Sequence, residues 1–251
     1  MEGGCGEEEG MRELLLRFFE ILLGTYGPQG WWPVYGKGER KLEIAIGAIL
    51  TQNTSWENAE KAITRMADAG LMEIRALCEV GEGEMVELIR PAGFPSSKAR
   101  TIRELARLII DRFDGEIDRL FELPTEVSRN FLLEIKGIGP ETADAILLYA
   151  GDKPVFVVDS YTTIVMRCNR LSFPLPPRLS AKRRGLSRGE YARWQEFFHE
   201  NLPADPDLFK EFHALIVEHG KRGHCRSGRK EGCRVCGEWE GWRNKTARES
   251  R

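Results

Sequence analysis

Residues 132–163, LLEIKGIGPETADAILLYAGDKPVFVVDSYTT, decide the fold. An apolar segment, 131–135, runs into Gly137-Ile138-Gly139, whose glycines permit positive φ and close approach of the backbone. Pro140 suits the first position of a helix, where no N–H is required, so residues 140–150 are predicted to be helical. The bare amides at such a helix start are suited to a phosphate. After a turn at Gly151-Asp152-Lys153-Pro154, the run Val155-Phe156-Val157-Val158 delivers Asp159 to the start of a third helix as a candidate N-cap. The G-I-G alone is compatible with a plain structural turn. Helix, glycine turn, helix, apolar run and aspartate in series are far more specific.

Outward from this stretch the chain reads as helices. Residues 11–26 carry a wide apolar face (Leu14, Leu15, Phe18, Phe19, Leu22), and 42–51 is apolar nearly all round, which predicts a central helix. Further helices are predicted near 56–69, 73–78, 82–89, 96–112, 189–201 and 207–219. No stretch alternates as a strand, so the fold class is all-α. Residues 1–10, rich in Gly and Glu, are predicted to be disordered.

Composition narrows the function classes. A chain of 251 residues buries a real core. Its net charge of −2 advertises no polyanion partner, so local basic clusters must do so. One holds Arg178, Lys182, Arg183, Arg184 and Arg188; the other holds Lys221, Arg222, Arg226, Arg229, Lys230 and Arg234. Either alone reads equally well as a solvated loop; beside the hairpin they suit phosphate contact. No apolar run reaches the length of about 18 residues needed for a membrane span, and the acidic start is neither signal nor transit peptide. A cytoplasmic, nucleoid-associated monomer without membrane contact is expected. Cys5, Cys78 and Cys168 are scattered and read as free thiols.

The string KGIGPETADAILLYA followed by VFVVDSYT resembles the helix-hairpin-helix, Gly/Pro-rich loop and aspartate of the endonuclease III superfamily of DNA glycosylases. It is most similar to the 3-methyladenine DNA glycosylase III branch. The resemblance covers roughly residues 18–236. It implies a two-lobed fold: a six-helix barrel over 42–151 ending in the hairpin, and a second helical lobe from 11–41 plus 152–251. It also implies double-stranded DNA containing a damaged base as partner, gripped through its backbone by Lys136, Gly137, Ile138, Gly139, Glu141 and Thr142.

The same resemblance makes Asp159 the catalytic carboxylate. Breaking an N-glycosidic bond builds positive charge on the sugar, which a carboxylate stabilises while orienting a water. Bifunctional members carry a lysine two residues after the hairpin's second glycine, where it attacks the sugar as an amine. That position here is Glu141, which forms no Schiff base. A monofunctional glycosylase acting on alkylated purines, 3-methyladenine foremost, is therefore expected. The alternatives are a bifunctional glycosylase and lyase of the endonuclease III type, and a non-enzymatic helix-hairpin-helix DNA-binding protein.

Gln29-Gly30-Trp31-Trp32-Pro33 and Thr51-Gln52-Asn53-Thr54-Ser55-Trp56 resemble segments of the 3-methyladenine branch that stack the extruded base. This implies a base pocket from Trp31, Trp32, Pro33 and Trp56, with Gln52 as the wedge filling the hole left in the duplex. Hydrophobic core is the plain reading of the tryptophans. A ring-alkylated purine is cationic, and a tryptophan face attracts it by about 0.5–2 kcal/mol. Residues 91–94 with Lys98 and Ala99 resemble a second DNA-facing loop of that branch, and Ala214 stands where it carries a pocket lysine.

Cys225-x7-Cys233-x2-Cys236 is close to the family's ligand set for a [4Fe–4S] cluster, but Trp242 stands at the fourth cysteine position. His224 or His219 is a candidate fourth ligand, and iron–sulfur, zinc and no metal all remain open.

Overall fold

The structure, a computed structural model, describes residues 5–36, 38–171, 186–227 and 231–249. It is all-α, with no strand among the described residues. The helices are α1 (Cys5–Tyr26), α2 (Arg40–Leu50), α3 (Trp56–Asp68), α4 (Ile74–Glu79), α5 (Glu82–Ile89), α6 (Pro95–Phe113) and α7 (Ile117–Glu122). They continue with α8 (Thr125–Glu134), α9 (Pro140–Tyr149), α10 (Ser160–Cys168), α11 (Arg188–Asn201), α12 (Pro206–Lys221), α13 (His224–Ser227) and α14 (Arg234–Glu249). A single 3₁₀ turn, Arg90–Ala92, precedes α6.

The chain forms two compact units. One comprises Met1–Trp31 and Pro154–Arg251, the other Trp32–Lys153. The boundary falls inside the Trp-Trp pair rather than at residue 42. The reason is local: Tyr35 N donates to the buried Glu43 carboxylate at 2.5 Å, and Trp32 packs on Trp56 and Tyr149, so 32–41 belongs with α2.

In the unit Trp32–Lys153, α2 is central. Leu42, Ile44, Ile46, Ile49 and Leu50 are all buried, as the all-round apolar pattern demands, and α2 packs on α3, α6, α7 and α9. Helix α7 was not anticipated. It is too short to show a period, yet Ile117, Leu120 and Phe121 are buried, and Ser128 Oγ donates to Leu120 O at its end (2.7 Å).

In the unit formed by the chain ends, α1 packs on α11, α12 and α14 through Leu15, Phe18 and Leu22. It begins at Cys5, ahead of the expected Met11, so the predicted disorder of 1–10 does not hold from Cys5 on. A helix anchored downstream extends at one hydrogen bond per added residue. Residues 1–4 lie outside the described residues. The run 155–158 is buried and, among the described residues, belongs to no helix or strand. Side chains of α11 supply part of what a sheet would: Phe156 N donates to His199 Nε2 (2.9 Å) and Gln195 Nε2 donates to Phe156 O (2.9 Å). Phe156 stacks on Phe198 with centroids 3.7 Å apart. Helix α14 was also unforeseen. Its two glycines and mixed polarity hide it, but Trp239 is buried against Phe18. Of the expected basic clusters, Arg178, Lys182, Arg183, Arg184, Arg229 and Lys230 lie outside the described residues.

Candidate active site and DNA-binding elements

The hairpin joins α8 to α9 through residues 135–139. Gly137 has φ +101°, and a Cβ there would overlap Thr101 Oγ1. That hydroxyl lies 2.9 Å from Lys136 O and ties the turn to α6, while Lys136 N donates to Glu104 Oε2 (3.1 Å). Arg129 grips the fully buried Asp144 with two parallel bonds of 2.7 and 3.0 Å, locking α8 to α9. Gly139 caps α9 and Pro140 opens it. Lys136, Gly137 and Glu141 are exposed, Gly139 is half-buried, and Ile138 and Thr142 face inward. Glu141, in the first turn, is placed favourably for the helix dipole.

Gln52 is bound into this hairpin. Its Nε2 donates to Gly137 O (3.0 Å) and to Thr142 Oγ1 (2.8 Å), so a wedge role requires it to exchange these bonds. Lys98, expected to face DNA, points inward instead. Its Nζ donates to Leu50 O (2.8 Å), Gln52 O (2.8 Å) and Ala92 O (2.7 Å), filling all three donors. Burial pushes this ammonium down to about 8. It fastens the loop after α2 to the loop before α6. At the tip of the latter, Phe94 is 69% exposed at φ +50°, the most exposed of the large apolar side chains among the described residues. Phe94 belongs to the 91–94 loop whose sequence resembles a DNA-facing one.

Trp32 and Trp56 meet edge to face, centroids 5.5 Å apart, and Tyr149 closes on Trp32 at 5.2 Å. Both tryptophans are only half-buried, and Pro33 is exposed. Trp56 Nε1 donates to Tyr35 OH (3.2 Å). Gly47 makes room for this corner, because a Cβ there would come within 2.9 Å of Trp32 Nε1. No sequence signal singled out Gly47 or Tyr149.

Asp159 and Trp31 lie in the other unit. Asp159 caps α10 in a reciprocal box: Oδ1 accepts from Thr162 N (2.7 Å) and Thr162 Oγ1 (2.8 Å), and Asp159 N donates back to that hydroxyl (3.2 Å). Among the described residues Oδ2 takes no hydrogen bond, so one face of a half-buried carboxylate is available to a ligand. Trp31 packs its edge on His213 (6.0 Å), and Lys221 Nζ lies 5.6 Å from the Trp31 ring centre. Burial pushes the His213 imidazole down, while the Asp159 carboxylate opposes the shift.

The cysteine cluster lies in this unit too. Cys233 and Cys236 are buried, and it is His219, not His224, that groups with them among the described residues. His219 Nε2 is 3.4 Å from Cys225 Sγ and 3.9 Å from Cys236 Sγ. Cys168, expected to be isolated, groups with Cys225 and Cys236. Trp242 stacks on Trp239 (5.4 Å).

Residues 46–179 match the family model described as HhH-GPD superfamily base excision DNA repair protein. A candidate DNA repair glycosylase of Methanocaldococcus jannaschii is 39% identical over 221 residues, which is 87% of this chain and 92% of that one. Endonuclease III of Sulfolobus acidocaldarius is 28% identical over 204 residues, 81% of this chain and 82% of that one. Among solved structures, H. pylori 3-methyladenine DNA glycosylase bound to 1,N6-ethenoadenine matches with a TM-score of 0.67 and 27% identity, covering 84% of this chain and 97% of that one. Hairpin, capped aspartate and these matches agree: the chain belongs to the HhH-GPD superfamily of base excision DNA repair proteins and is a DNA N-glycosylase.

Proposed function

We propose that this glycosylase is monofunctional and hydrolyses the N-glycosidic bond of alkylated purines in duplex DNA, 3-methyladenine foremost. One observation carries the reading: exposed Glu141, not an amine, stands in the first turn of α9 where a lyase of this family needs its nucleophile. Alkylation at a ring nitrogen leaves the base cationic, so it departs with the bonding electrons without needing a general acid. The half-exposed faces of Trp32 and Trp56 suit such a cation. The free Oδ2 of Asp159 stabilises the oxocarbenium-like sugar and orients a water. The water adds to the sugar carbon and loses a proton, leaving an abasic site and the free base. Likeness to the H. pylori enzyme supports the substrate class.

Backbone grip falls to Lys136, the 137–139 turn and the α9 start. Phe94, at its exposed tip, is assigned to press on the opened duplex beside Gln52. Similarity to endonuclease III favours a bifunctional second reading. Lys153 is poorly placed for it, since its Nζ donates to Leu123 O (2.9 Å). Borohydride reduction in the presence of abasic duplex DNA tests the choice. We expect no covalent complex; efficient trapping on any residue would replace the proposal with the bifunctional reading.

A further inference from the structure

Donor atoms gather around His219 at the spacing of a single ion's ligands, with Cys225 joining through His219 and Cys236 rather than in one group with Cys233. Tetrahedral zinc at about 2.3 Å from sulfur and about 2.0 Å from nitrogen sets N···S edges near 3.5 Å and S···S edges near 3.8 Å. His219 Nε2 lies 3.4 Å from Cys225 Sγ and 3.9 Å from Cys236 Sγ. The ligand atoms of His219, Cys233 and Cys236 are all within 4.8 Å of one another. A four-iron cubane carries each thiolate on a different iron, which spreads the sulfurs farther apart than the ligands of a single ion. Donors this close are too crowded for its corners. Trp242, stacked on Trp239, offers no thiolate, and the remaining thiol nearby, Cys168, groups with Cys225 and Cys236 but not with Cys233.

A second, independent feature concerns orientation. Tyr26 OH lies 2.9 Å from His219 Nδ1, which fixes the ring with Nε2 turned to the sulfurs. Asn169 Nδ2 points at Cys225 Sγ (3.7 Å), and Cys236 N donates to Cys233 Sγ (3.5 Å). Contacts of this kind hold first ligands in place and stabilise thiolates. Gly220 brings α12 against α10, since a Cβ there would lie 2.8 Å from Tyr161 Cβ; this close approach sets the helix that carries His219.

We propose that His219, Cys225, Cys233 and Cys236 form a mononuclear tetrahedral zinc site in place of an iron–sulfur cluster. Binding displaces the thiol protons, and the ion then links α12, α13 and α14 within this unit. His219 lies near all three thiols, whereas Cys168 groups only with Cys225 and Cys236, so the imidazole is the fourth ligand and Cys168 is not.

The test is elemental analysis of full-length protein, purified without oxygen from cells supplied with iron and zinc, followed by Co(II) titration of the reduced, metal-stripped chain. One zinc per chain without acid-labile sulfide, and a tetrahedral thiolate Co(II) spectrum, are expected. Cys168→Ser should leave metal content and spectrum unchanged. Tyr26→Phe should weaken Co(II) binding by about 10–100-fold. His219→Ala should weaken it further, and His219→Cys should restore a tetrahedral site. Iron with sulfide in the purified protein overturns the proposal. So does reduced wild-type protein that takes up neither zinc nor Co(II), or metal lost in Cys168→Ser but kept in His219→Ala. The wild-type titration decides even if a variant fails to fold.

Discussion

Asp159 does two jobs with one carboxylate. Oδ1 closes the capping box with Thr162 and fixes the rotamer, and in the proposed mechanism Oδ2 serves the reacting sugar. Asparagine at this position can keep a capping oxygen but not the charge. Asp159→Asn should therefore retain binding to lesion DNA and lose excision by about 10²–10³-fold or more. Single-turnover excision at near wild-type rate would remove Asp159 from the mechanism. The tryptophan corner makes a different prediction. Stacking is lost for any base when Trp32 or Trp56 is truncated, but the charge–quadrupole attraction is lost only for a cation. Trp32→Ala and Trp56→Ala should depress excision of 3-methyladenine more than that of neutral hypoxanthine. Equal losses in competition assays would make the tryptophans packing residues. The aspartate was legible because a cap after four apolar residues leaves a pattern in sequence. Lys98 was not, because an inward-facing lysine beside a loop reads like a solvated one until its three carbonyl partners are seen.

At the scale of elements, the hairpin is held from both sides. Arg129–Asp144 clamps its helices together, and Thr101 anchors its turn to α6. Gly137 is where the two constraints meet: its φ of +101° is costly for any side chain, and Thr101 Oγ1 occupies the place of a Cβ. Gly137→Ala should cost about 1–3 kcal/mol of stability. It should also weaken binding to damaged and undamaged duplex alike, because backbone contacts carry no sequence information. Chemical denaturation and salt-dependent binding measure the two effects; a variant that keeps both would show that the turn tolerates rearrangement. Helices α9 and α10 were readable from Pro140 and Asp159 at their starts. Helices α7 and α14 were not: the first spans less than two turns, and of the aromatic pair of the second only Trp239 is buried.

At the scale of the molecule, the chain crosses between its compact units at 31/32 and at 153/154. One unit is thus built from both chain ends, and each unit carries its own part of the proposed site. The unit Trp32–Lys153 holds the hairpin, Gln52, Phe94 and the Trp32–Trp56 corner; the other holds Asp159 and the His219 cluster. A division after residue 41 was legible only approximately, because Glu43 and Gly47, which bind 32–35 to α2, carry no pattern that a sequence displays. Product analysis on duplex DNA treated with a methylating agent is the decisive measurement for the proposed reaction. Free 3-methyladenine in solution and an unbroken strand carrying an abasic site are expected. Strand cleavage concurrent with base release, or release of oxidised bases in preference to alkylated purines, would contradict it.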